Sequence, residues 1–191
     1  MIVLILGLVI FLGVHLVPTS VDGRAGLVSK LGANVYKGAF SVASLIGFLM
    51  IVWGMGMARG SAADPQIWYP PVWTKHLAFA LMLPAFILLV AAYVPSRIRD
   101  MAKHPMLAAV KFWALAHLLA NGDLAGLLLF GGFLAWAVYD RISVKKRGAK
   151  GPLGDRHGGA MNDVIVVVVG ILLYLAMFRW GHPLLIGVPL A

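Results

Sequence analysis

A chain of 191 residues that is 61% hydrophobic and only 12% charged is not an ordinary soluble domain, which carries roughly 25% charged residues. The absence of cysteine excludes disulfides, thiolate metal centres and cysteine nucleophiles, so a tight metal site must draw on imidazole, carboxylate or thioether. A net charge of +9 would suggest nucleic acid in a soluble protein. In a chain of mean hydropathy +0.92 it marks cytoplasmic loops instead, and no nucleic-acid partner is expected.

Met1–Val17 is an apolar run with no basic residue ahead of it and no small-residue cleavage site behind it, which predicts a retained membrane helix. His15 lies near its end, and Pro18 marks where it stops or bends. Val21–Lys37 is polar and Gly-rich. Gly38–Ala58 has the ~20-residue length that a bilayer core requires. The loop Arg59–Pro71 carries Trp68 and Tyr69 among prolines, an interfacial cluster. Val72–Val94 is a third span with Pro84 inside it, and Pro95–His104 is a basic connector. Pro105–Ala120 and Leu124–Tyr139 are the fourth and fifth spans, Asp140–Asp163 a basic loop, and Val164–Trp180 the sixth span. The closing GHPLLIGVPLA is apolar but too short to cross.

The fold class expected is therefore all-α, a polytopic helical bundle of about six spans forming a single domain over residues 1–191. With six spans, twelve of the sixteen Lys and Arg residues gather on one side, three on the other, and Lys111 falls within a span. The positive-inside rule then places both termini outside the cytoplasm. Lipid is one expected partner, above all at Lys145–Lys150.

Polar residues inside spans are costly and tend to be functional. His15 is open to two readings, metal ligation or a hydrogen bond to a neighbouring helix. His117 is open to the same two, with Trp113 one turn before it and Asn121 one turn after it, an aromatic wall and an amide that would suit a flat ligand. His104 precedes Pro105, a good first residue for a helix. With Arg97, Arg99 and Lys103 upstream, that helix start could hold a propionate, a phosphate or a lipid headgroup. Lys111 is expected to snorkel. Asn121-Gly122-Asp123 reads as a hairpin, with Gly122 suited to the helix end and Asp123 to the next cap. His76, His157 and His182 are expected to be solvated. No phosphate loop, dinucleotide fingerprint or HExxH is present.

Gly13–His15 (GVH), Tyr36–Ser41 (YKGAFS), His104–Leu107 (HPML), Trp113–Ala125 (WALAHLLANGDLA) and Trp136–Ser143 (WAVYDRIS) occur in an order that resembles the NnrU family of bacterial membrane proteins over nearly the whole chain. Through the same landmarks the chain looks like a smaller relative of zeta-carotene isomerase, a membrane enzyme that uses heme b. The resemblance implies heme b as cofactor, with His15 and His117 as metal ligands; the residue pattern itself adds His104, Trp113 and Asn121 as further cofactor-binding candidates. It also implies a bacterial cytoplasmic (inner) membrane location. A redox, sensing or maturation role in denitrification and nitrogen-oxide metabolism follows from it, with respiratory or denitrification proteins as partners. The alternative it carries is a heme-dependent cis-trans isomerase acting on a polyene such as zeta-carotene. A fainter likeness, through His-Pro at a helix start, is to SAM-dependent membrane methyltransferases, although no later acidic pair accompanies it. A cofactor-free scaffold would suit spans with so few polar residues equally well.

Helix geometry complicates a site made of both histidines. His15 lies ~21 Å along the first helix, and His117 lies ~6 Å from the outer end of the fourth, which runs the other way. In a ~30 Å core this is a depth mismatch of ~15 Å, whereas two axial nitrogens stand ~4 Å apart. His104 is nearer in depth to His15 and is kept as a third candidate.

Overall fold

The computed structural model describes residues 1–190; only Ala191, the last residue of the apolar tail, lies outside them. The described residues form eight α-helices: α1 (Ile2–Leu16), α2 (Val21–Leu31), α3 (Ala33–Ala58), α4 (Val72–Ala91), α5 (Arg97–Ala102), α6 (Pro105–Ala120), α7 (Leu124–Arg147) and α8 (Ala160–Ala176). A 3-10 turn, Val17–Thr19, follows α1, and a π-helical stretch, Met177–Ile186, continues α8. Five helical stretches are long and apolar enough to cross a membrane, and α6 is a shorter apolar helix. Its 16 residues rise ~24 Å, somewhat less than a hydrocarbon core. Large apolar side chains such as Val9, Trp53 and Leu172 stand more than half exposed, which suits lipid rather than water.

Helix ends depart from the hydropathy boundaries in several places, among them the last span, which begins at Ala160 and continues to Ile186, taking in most of the closing apolar tail. The polar segment after Pro18 is not a loop but contains α2, whose N-terminus is capped by the Ser20 hydroxyl accepting from Gly23 N–H at 3.1 Å. The third helix begins at Ala33, five residues before its apolar run. The seventh continues through the basic residues to Arg147 and stops at Gly148, which takes φ 58°. Lysine and arginine are good helix formers and complement the negative helix end, so the helix outlasts its hydrophobicity.

The chain divides into two compact units, Met1–Pro71 with His117–Ala149, and Val72–Ala116 with Lys150–Ala191. In the first, α1 and α3 run antiparallel at close range. Gly7 faces Met50 and Ile51, Gly47 faces Phe11, and Gly54 faces Leu4; a Cβ on any of the three would collide with the opposing backbone. Between membrane helices, close approach through small residues replaces the hydrophobic drive that lipid removes. The loop 59–71 is tied to the α6–α7 connection: Gly122 O accepts from Ile67 N–H and Trp68 N–H, and Asp64 Oδ1 accepts from Ala125 N–H. Asp123 caps α7 as expected, accepting from Gly126 N–H at 2.7 Å. Gly122 is needed for a different reason from the one the sequence suggested. It sits so close to the Trp68 carbonyl that no side chain fits, and it is not among the positive-φ glycines.

In the second unit, α4 and α8 run antiparallel around Val90, Ala91 and Val166, with Gly170 against Ile87. Phe86 meets Tyr174 and Phe79 meets Phe178 further along. The basic connector contains α5, capped by Ser96 and by Asp163, which accepts from Arg97 N–H and Ile98 N–H. Buried Arg99 donates to the Gly154 and Arg156 carbonyls and pairs with Asp100, fastening the loop before α8.

Candidate functional site around His15

His15 is the last-turn residue of α1 and is part-buried. Its Nδ1–H donates to the Phe11 carbonyl at 2.6 Å. Because a carbonyl can only accept, the bond selects the tautomer that leaves the lone pair on Nε2. Three rings surround the imidazole. Phe11 is stacked on it at 4.3 Å, Phe40 of α3 meets it edge-on at 5.1 Å, and Trp136 of α7 meets it edge-on at 5.8 Å.

Helix α7 supplies three of the aromatic contacts. Phe130 stacks on His117 at 4.4 Å, Phe133 approaches Phe11 at 5.5 Å, and Trp136 meets His15. Positions 130, 133 and 136 recur at helical spacing, so the helix presents a ladder of rings. The same helix is anchored beyond the ladder, where Ser143 donates to Thr19 O at 2.9 Å and Arg147 pairs with Asp140 at 3.2 Å.

His15, His117 and Asn121 belong to the first unit, and His104 and Trp113 to the second. Phe130 and Trp136, which contact the two histidines of the first unit, are six positions apart on α7, a rise of ~9 Å. One iron held by both histidines would have to close that offset to ~4 Å. Asn121 donates from Nδ2 to His117 O at 2.8 Å, closing the end of α6. His104 follows an unusual turn: Lys103 takes φ 62° and ψ −45°, and His104 N–H donates to Ala102 O at 2.7 Å. This is a γ-turn of the rarer, strained hand, and Pro105 then opens α6. Among the described residues no cluster of three or more His, Cys, Asp or Glu could hold a metal ion.

Of the histidines expected to be solvated, exposed His157 reaches Asp100 at 3.0 Å and part-buried His182 bonds Val188 O at 2.7 Å. Polar residues that the sequence did not mark gather nearer His15. Tyr36 OH, Ser44 Oγ and Trp136 Nε1 are buried without a hydrogen-bond partner. Tyr36 and Trp136 stand inside two of the landmark motifs, but nothing in either motif singles out its ring.

Long apolar helices, glycine-mediated contacts and lipid-facing side chains define a polytopic helical membrane protein. The profile of the NnrU protein family matches residues 3–190. The chain belongs to that family. No curated protein and no solved structure matches it.

Proposed function

We propose that this NnrU-family protein binds heme b through His15 in the bacterial cytoplasmic membrane and serves a redox, sensing or maturation role in nitrogen-oxide metabolism. The observation that carries the reading is the His15–Phe11 hydrogen bond. Metal-bound histidines commonly donate their second ring nitrogen to a carbonyl or carboxylate, which fixes the ring and raises the basicity of the ligating nitrogen. The donor set fits a heme on two further counts: aromatic rings flank the imidazole, and buried donors near it lack acceptors. His15 would hold the iron, and His117 is the second residue that could hold it if the ~9 Å offset along α7 closes. Bound heme would supply an iron whose redox state or nitric oxide could change its coordination. The charge partition of the loops supports termini outside the cytoplasm.

The test is the visible spectrum of detergent-purified protein made with ample heme, beside His15→Ala, His117→Ala and His104→Ala. A Soret band that is lost in His15→Ala and altered in His117→Ala is expected. A wild-type protein without a Soret band overturns the reading, and unchanged spectra in all three variants remove the ligands proposed. The ring ladder on α7 also favours a second reading, in which a polyene lies along Phe130, Phe133 and Trp136 and is isomerised. Turnover in a carotenoid-producing host separates it from the first.

A further inference from the structure

Inside a membrane a buried polar group without a partner is expensive, because no water is at hand to satisfy it. Among the described residues three side-chain atoms are in that position: Tyr36 OH, Ser44 Oγ and Trp136 Nε1. Their distribution is not scattered. Tyr36, Phe40 and Ser44 recur every four residues on α3 and so share one face. Phe40 and Trp136 are two of the rings set against His15, and Tyr36 lies 6.3 Å from Phe40. A charge completes the arrangement. Arg24 of α2 stands over the Tyr36 ring at 5.8 Å and forms no ion pair among the described residues.

The His15 niche thus has two kinds of lining. Phe11 and Phe133 contribute apolar rings, whereas Tyr36 and Trp136 bring hydrogen-bond donors and exposed Arg24 brings a guanidinium over the Tyr36 ring. The geometry points to an amphipathic ligand with a carboxylate edge, whose oxygens accept from Tyr36 OH and Trp136 Nε1 and are neutralised by Arg24. The inference rests on the heme reading, under which that edge is the pair of propionates. Ser44 lies two turns further along α3 than Tyr36, towards Phe11, and is not part of that edge.

Ester chemistry tests it. Hemin and hemin dimethyl ester differ in whether the edge carries charge, so each is titrated into heme-free protein in detergent and followed by its Soret band. Wild type is expected to bind hemin at least about tenfold more tightly than the ester, the scale of one hydrogen bond to a charged group. Tyr36→Phe, Trp136→Phe and Arg24→Gln are each expected to weaken hemin binding about tenfold and ester binding by much less, because an ester carbonyl still accepts a hydrogen bond but carries no charge. Comparing the two ligands within one variant cancels any general loosening of the helices. Equal affinity of wild type for both ligands overturns the inference and leaves the heme reading standing. A parallel loss of both ligands in the three variants overturns it too, since that is what a structural role would give. No Soret band from either ligand in wild type overturns the heme reading itself, and the inference with it.

Discussion

The indole of Trp136 meets the imidazole of His15 edge-on, with 86° between the ring planes, and its own N–H has no acceptor. The contact and the orphaned donor pull stability in opposite directions. Trp136→Ala removes a wall of the niche and is expected to cost about 3 kcal/mol, the lower end for a large aromatic because the residue is only part-buried. Trp136→Phe keeps a ring and deletes the orphan, so in ligand-free protein it is expected to be neutral or slightly stabilising. Equilibrium unfolding in mixed detergent distinguishes the two.

The α1–α3 contact makes a prediction of sign. A Cβ at Gly54 would strike the Leu4 backbone, whereas one at Gly56 meets nothing within 4 Å. Gly54→Ala is expected to lose about 1–3 kcal/mol through overpacking. Gly56→Ala is expected to gain up to about 1 kcal/mol from helix propensity alone. Thermal unfolding should move in opposite directions for two glycines on one helix.

Gly122 is the corresponding point at the α6–α7 connection. Gly122→Ala is expected to push the loop 59–71 off its two hydrogen bonds. Ile67 and Trp68 amides, which donate to Gly122 O, should then exchange with deuterium far faster, while amides in the middle of α3 keep their protection.

Arg99 and Lys150 are both cations near the loop that precedes α8, but their environments differ. Arg99→Met strands the Gly154 and Arg156 carbonyls. At about 1–3 kcal/mol per buried group left unpaired, it should make the Lys150 and Arg156 bonds readily cleaved by trypsin. Lys150 and Asp155 form an exposed pair at 2.6 Å, and the Lys150 hydrogen bond and charge hold the Asp155 carboxyl below its usual range. A depressed carboxylate pKa adds stability above its unfolded value of about 3.9, and that stability is withdrawn as pH falls through the folded value. Because the pair is exposed, Lys150→Met is expected to leave the acid unfolding midpoint where it is.

Lys103 carries the one positive φ among the described non-glycine residues. Strain of this kind costs about 1–3 kcal/mol, and glycine relieves most of it at some cost in unfolded-chain entropy. Lys103→Gly is therefore expected to raise the melting temperature, and a lowered one would show that the lysine side chain outweighs its backbone.

What could be read from the sequence follows how local the physics is. Five of the six apolar runs were recognisable as spans because length and hydropathy are properties of one segment, and α6 differs only in being short. Asp123 was recognisable as a cap for the same reason. Helix α2 was hidden, since its glycines mask a Ser20 cap and an Asp22 in the first turn. His15 stood out as an imidazole in an apolar run. Its surroundings did not, because Tyr36, Ser44 and Trp136 become a group only when α3 and α7 close on α1. Gly122 resembles a helix end in sequence, but its role depends on Trp68, far earlier in the chain.

The close α1–α3 contact also sets an order of events during synthesis. Gly7, Gly47 and Gly54 let the first two long helices pair as soon as α3 has left the ribosome. Trp136 and the rest of the ring ladder emerge only some seventy to eighty residues later, on the order of 4–16 s at ordinary elongation rates. During that interval His15, Tyr36 and Ser44 are already in place but open on the side that α7 will cover. The niche is therefore a late-closing one: a bulky ligand has a window for lateral entry before α7 arrives, and afterwards that side is walled by Phe133 and Trp136.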